Sequence, residues 1–274
     1  MYLAGIVLYN PDIKILKKNL TVLLKQGFFI LLVDNASKNV EQIKTLENNS
    51  IILLRNERNM GIGCALNQIC EFAWNQNIEW VLALDQDSIV PDNLLSEYIS
   101  RIDRPNLAII CPSILEQNIN KEICHQNLQG DSYIEKCITS ASFISVPVWE
   151  KVGKFDEAMF IDYIDFDYCY KVRKMGYKIL KIPTVQLRHS LGESELRKFL
   201  FWNVRVGNHV VNRKYYIARN TIIFMRRYKS LRVVVLEILR LFKLLLFTVL
   251  YEKDKRDKLF NIAKGVKDGL CWNI

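Results

Sequence analysis

Four short apolar runs punctuate the N-terminal part of the chain: Leu3 to Leu8, Phe28 to Val33, Ile51 to Leu54 and Trp80 to Leu84. None alternates with polar residues, so each reads as a strand buried on both faces. Between the first two, Ile13, Leu16, Leu20 and Leu23 recur at helical spacing behind Asp12, which is placed to cap a helix. Doubly buried strands alternating with helices require a mostly parallel, doubly wound α/β sheet of Rossmann type. The pattern continues with helices to about Trp74, from Pro91 to about Ile102 and from Pro147 to about Val152. Further strands are expected at Leu107–Cys111, Ser142–Val146, Tyr177–Ile182 and Thr184–Arg188, with a polar loop over 113–137.

The strands end in acids. Trp80 to Leu84 runs into Asp85-Gln86-Asp87-Ser88. In open α/β sheets ligands bind beyond the carboxyl ends of the strands. Two carboxylates spaced i, i+2 at such an end can share one hard divalent cation, which would in turn hold a diphosphate. A polar turn capping the strand is the competing account. A second acidic cluster, Asp162, Asp165 and Asp167, precedes a helical pattern ending near Gly176. Capping a helix needs one acid, so three among large apolar side chains point to binding or catalysis. His189 follows the last strand and becomes a ligand candidate where it converges with Asp87. His125 and His209 read as ordinary surface residues.

Charge divides the chain. Residues 213–274 carry 15 Lys/Arg against 5 Asp/Glu, a net of +10, while residues 1–212 net −1. Leu231 to Tyr251 is apolar and long, but it contains Arg232, Glu237, Arg240 and Lys243. On a helical wheel Lys229, Arg232, Arg240 and Lys243 share one arc opposite Leu, Val and Phe, the pattern of a helix lying in a membrane interface. Docking on the chain's own core or on a second copy of the chain, as a homodimer, is the alternative. The aliphatic face suits lipid better than bases, so nucleic acid is not an expected partner. The seven cysteines show no C-x-x-C spacing and read as reduced, buried thiols of a cytoplasmic protein. No basic leader precedes the first strand, so no signal peptide is expected.

The chain resembles family 2 glycosyltransferases of the GT-A fold. The resemblance rests on Val7-Leu-Tyr-Asn10, Asp34-Asn-Ala-Ser37, Asn59 to Asn67 around Gly61 and Gly63, Asp85-Gln86-Asp87, and Phe160 to Cys169 with Gly176-Tyr177. It spans about residues 1–190. Asp-Gln-Asp-Ser, Phe-Ile-Asp-Tyr-Ile-Asp and His-Ser-Leu-Gly together are similar to bacterial rhamnosyltransferases using dTDP-L-rhamnose. Galactofuranosyltransferases are near relatives. Ile164 and Lys171 depart from the family, which more often has Glu and Arg there.

The resemblance implies a GT-A catalytic domain over 1–213 and a basic helical, membrane-associating segment over 214–274. It implies donor contacts from Tyr9, Asn10, Asp34, Asn59, Gly61, Asn67, Asp85, Gln86 and Asp87, with Mn²⁺ or Mg²⁺ on Asp87 and His189. Asp165 becomes the general base, with Asp162 and Asp167 on the acceptor side. One base without a second nucleophilic carboxylate means direct displacement with inversion. The expected reaction moves L-rhamnose to a glycan, lipid-linked at the inner face of the plasma membrane, in surface-polysaccharide synthesis. UDP-galactofuranose or a UDP-hexose is the alternative donor. Nucleotidyl transfer and non-catalytic sugar-nucleotide binding are the rival functions.

Overall fold

The computed structural model describes residues 1–116, 130–189, 194–199, 202–207 and 209–273. In chain order they form β1 (Tyr2–Leu8), α1 (Ile13–Lys25), β2 (Phe28–Asp34), α2 (Val40–Lys44), β3 (Ile51–Arg55), α3 (Ile62–Asn75) and β4 (Trp80–Asp85). There follow α4 (Leu94–Ile99), β5 (Leu107–Glu116), β6 (Ser132–Ile134), β7 (Ser142–Ser145), α5 (Val146–Lys151), α6 (Ile164–Lys174) and β8 (Lys178–His189). The chain continues through β9 (Ser194–Phe199), β10 (Trp202–Gly207), α7 (Val211–Arg227), α8 (Leu231–Tyr251) and α9 (Lys255–Cys271). It divides into two compact units. The first holds residues 1–160 and 164–190, and the second holds 161–163 and 191–274.

The first unit is built on a sheet of order β3-β2-β1-β4-β7-β5-β8-β6. The β3-β2-β1-β4 block and the β5-β8 pair are parallel; β7 and β6 run antiparallel to their neighbours. Leu3, Ile6, Leu8, Leu31 and Leu32 are wholly buried, as strands covered on both faces must be. α1 forms as expected: Asp12 accepts from the Lys14 and Ile15 N–H groups at 2.7 and 3.3 Å, and Leu16, Leu20 and Leu23 face the core. Tyr98 closes the opposite side, its hydroxyl donating to the Ala141 carbonyl at 2.8 Å.

Three elements depart from the expected pattern. β5 runs through Pro112 to Glu116, because a register shift at Pro112/Ser113 lets it keep pairing with β8. The two expected strands over 177–188 are one strand, β8. The β9–β10 hairpin was not expected at all. The expected loop over 113–137 lies in part, at 117–129, outside the described residues, as does His125.

In the second unit, α9 packs on α7 through Gly265 and Gly269. A Cβ on Gly265 would stand 2.3 Å from the Tyr215 carbonyl oxygen, so only glycine allows this approach. α8 is patterned inside out. Its buried positions include Glu237 and Thr248, while Leu231, Val235, Ile238, Leu239, Phe242 and Val249 are exposed. Arg232 and Lys243 are exposed on the outer side, but Arg240 pairs with buried Glu237 at 2.5 Å. The single basic arc expected from the wheel is therefore broken by that ion pair. Among the described residues no helix is long and apolar enough to cross a membrane.

Candidate active site

The chain leaves β1 on one side for β2 and β3 and returns on the other as β4, so the strand order switches beside β1. Register puts Val7 opposite Asp85 and Leu8 opposite Asp34. The turns after β1, β2, β3 and β4 thus gather at one edge, where an α/β sheet binds its ligand.

The Asp85–Ser88 turn is braced from beneath. Asp85 N–H donates to Ser140 Oγ at 3.3 Å, and the Ser140 and Ser88 hydroxyls lie 2.6 Å apart. Asn19 donates to the Ser88 carbonyl at 2.6 Å and accepts from Val90 N–H at 3.2 Å. With Ser88 and Ser140 wholly buried, Asp85 is left half-buried and Asp87 exposed. Gln86 turns sideways: its Oε1 accepts from Tyr9 N–H at 2.7 Å and its Nε2 donates to the Tyr9 carbonyl at 3.1 Å. This two-point clamp joins the turn to the exit of β1, where the Tyr9 ring is half-exposed. Asn10, at φ +51°, donates its N–H to Ser37 Oγ at 2.7 Å and accepts from Lys38 N–H at 2.8 Å.

Several expected donor residues spend their polar groups on the fold. Asp34 is wholly buried, both carboxylate oxygens 3.2 Å from Ser37 N–H. Asn59 accepts from Gly61 N–H at 2.9 Å. Asn67 is buried and makes four hydrogen bonds: it donates to Phe155 O and Glu157 Oε1 and accepts from Trp149 Nε1 and Phe155 N–H. Gly61, at φ +86°, is N-cap of α3, where the Ile62 N–H donates to the Phe160 carbonyl at 2.7 Å. A Cβ there would meet Phe160 backbone at 2.7 Å. The glycine loop therefore seats the second acidic segment against α3.

On α6, Asp165 and Asp167 stand in the first turn. Asp165 is half-buried, with Oδ1 accepting from Phe166 N–H at 2.9 Å. Its cleft is shared with Tyr168, Thr139, Cys137 and Cys169. The neighbouring Cys111 thiol and burial push Cys137 well up, and Cys169 is raised by Cys137 beside it, so neither thiol is a nucleophile at neutral pH. Asp167 is wholly buried and paired with Lys171 at 3.0 Å, one helical turn on. In the second unit Asp162 is gripped by Arg213 through two bonds of 2.8 and 2.9 Å.

β8 delivers its end to the same edge, since Ile89 N–H donates to the Arg188 carbonyl at 2.9 Å. That sets the backbone of His189 beside the Asp87 turn; its side chain lies outside the described residues. Among the described residues no three His, Cys, Asp or Glu gather as a metal cage. His209 is half-buried rather than a surface residue: burial and the nearby Arg213 lower its pKa to about 4.

The family model described as Glycosyl transferase family 2 matches residues 4–176. The dTDP-rhamnosyl transferase RfbF of Shigella flexneri is 26% identical over 238 residues, 82% of this chain and 79% of that protein. S. aureus TarS 1-349 superposes with a TM-score of 0.57 at 12% identity, over 99% of this chain and 72% of that one. GalNAc-T7, solved with UDP, GalNAc and Mn2+, gives 0.56 at 14% identity over 81% of this chain. This chain spans half the length of GalNAc-T7.

Proposed function

The chain belongs to glycosyl transferase family 2, and from that premise we propose that it moves L-rhamnose from dTDP-L-rhamnose onto a lipid-linked glycan with inversion. The observation that carries the reading is the convergence of the Asp85–Ser88 turn, the Tyr9 exit and the end of β8 on one sheet edge. The rhamnosyl relative supports the donor, and its nucleotide directs the choice of dTDP over UDP.

Residues 1–213 form the catalytic domain of this reading. Tyr9 offers its exposed ring to the base, and Gln86 holds the Tyr9 backbone in place. Asp34 acts through the Asn35–Ser37 turn that it fixes. Asn10 and Asn59 shape the turns on either side, while Gly61 and Asn67 seat the 155–160 segment. Asp85 faces the ribose or the cation. Asp87 and His189 form an oxygen and imidazole donor set that fits Mn²⁺ or Mg²⁺. Such a cation supplies Lewis-acid stabilisation to the departing diphosphate. Asp165 accepts the proton of the attacking hydroxyl, and a single base at this position gives one displacement and inversion. Asp162 and Asp167 order the acceptor side around it.

Residues 226–251 rest on an anionic membrane at the cytoplasmic face, where lipid-linked acceptors of surface polysaccharides are presented. The net charge of +10 after residue 212 and the exposed apolar face of α8 support this placement.

Turnover of labelled dTDP-L-rhamnose against UDP-galactofuranose and UDP-galactose, with a lipid-linked acceptor and with or without Mn²⁺, tests the assignment. Transfer from dTDP-L-rhamnose alone is the expected result. Transfer from a UDP sugar alone would replace the donor while keeping the reaction.

A further inference from the structure

Phe160, Asp162 and Tyr163 all have positive φ, at 58°, 63° and 68°. None is glycine, and side chains rarely adopt that backbone. A run of this kind persists only where its surroundings over-determine it. The second unit supplies the restraint. Asn220, wholly buried on α7, donates to both the Ile161 and Asp162 carbonyls, at 2.8 and 2.9 Å. Arg213, also on α7, forks onto the Asp162 carboxylate. The Tyr163 hydroxyl donates to Glu237 on α8, a buried carboxylate that also takes Arg240. The polar inner face of α8 thus holds the tyrosine that ends the run.

Ile164 follows directly as the first residue of α6, and Asp165 is the second. Two captured carbonyls fix the peptide planes on either side of Asp162, and those planes set the direction in which α6 begins. We propose that Asn220 and the Tyr163–Glu237 pair are positioning residues that aim Asp165, so that α7 and α8 belong to the catalytic apparatus. The proposal rests on the reading of Asp165 as the base.

The test uses the full chain with Asn220→Asp, which keeps the shape but removes both donated bonds, and with Tyr163→Phe, which removes one hydroxyl. Calorimetric titration with the nucleotide sugar counts folded donor sites and gives donor affinity. Expected is a fall of at least tenfold in kcat per donor site, with donor Kd within twofold of the parent. A merely structural role would reduce the number of sites and leave kcat per site unchanged. Values within twofold in both variants, or donor affinity falling in step with kcat, would overturn the proposal. Amide hydrogen exchange without substrate separates this outcome from failure of the functional reading. Exchange over 160–168 should quicken in both variants while β1, β2 and β4 stay protected. Unchanged exchange there counts against the positioning role even if no sugar donor is ever found.

Discussion

Asp165 and Asp162 are three residues apart, yet they do different work. Asp162 is committed to Arg213, whereas Asp165 lines a cleft on the first turn of α6. Asp165→Asn should bind donor almost normally and lose about 10²–10⁴-fold in kcat, the usual range for a general base. Steady-state rates beside calorimetric donor binding check this, and a collapse of donor affinity would remove Asp165 from the acceptor side. Asp87→Ala should abolish Mn²⁺-dependent donor binding while leaving the circular dichroism spectrum unchanged, because Asp87 is exposed at a turn. Full activity of that variant in excess chelator would refute the cation site. His209 makes a pH prediction. Its folded pKa of about 4 lies below the model value of 6.5. Above pH 6.5 neither state is protonated, and the group contributes nothing. As pH falls from there toward 4, the unfolded chain takes up a proton that the folded chain refuses, so stability is lost. The drop in Tm between pH 7 and pH 5 should therefore be smaller in His209→Gln than in the parent. Equal drops would show that His209 does not carry this effect.

At the scale of elements, Gly265→Ala decides between two opposed effects. Replacing a helical glycine by alanine normally stabilises by about 1 kcal/mol. Here the new Cβ would stand 2.3 Å from the Tyr215 carbonyl on α7, and forced overpacking costs about 1–3 kcal/mol. The variant should lower the midpoint of chemical denaturation; a raised midpoint would mean that α7 and α9 can separate freely. Much of the sheet was legible in the chain, because β1, β2 and β4 each announce themselves by one local signal. The cap at Asp12 did the same for α1. β9 and β10 carried no such mark: Trp202-Asn-Val-Arg-Val206 alternates, but Ser194–Phe199 does not, so no pairing partner was visible. β5 looked as though it should stop before Pro112, and only its pairing with β8 shows why it continues. At the site, the acids and Tyr9 could be read from motifs. Ser140 and Asn19 could not, since the turn they brace lies more than fifty positions away in sequence. Charge spacing alone turned Arg240 outward on α8; the ion pair with Glu237 turns it in.

For the molecule as a whole, the exposed apolar face of α8 needs an occupant, and the basic charge of the same segment selects an anionic surface. Each Lys or Arg near such a surface contributes about 1 kcal/mol, so Lys229, Arg232 and Lys243 suffice for reversible attachment when joined to apolar insertion. The full chain should sediment with vesicles containing phosphatidylglycerol. Added salt should weaken this association without abolishing it, because the Leu, Val and Phe face is not screened. Changing those three residues to Gln should move the protein into the supernatant with donor binding intact. A chain that ignores vesicles but dissociates from a dimer when α8 is altered would identify a second copy as the occupant. The division of the chain has a further consequence, for the exchange of parts between relatives. Residues 161–163 belong to the unit that otherwise begins at 191, although they lie within the sequence of the other. A chimera that borrows the hairpin and helices of a homologue must therefore borrow this tripeptide as well. Grafting at the single junction near residue 190 would pair the helices of one parent with the tripeptide of the other. The second unit can be inherited as a module only through two separate replacements in the chain.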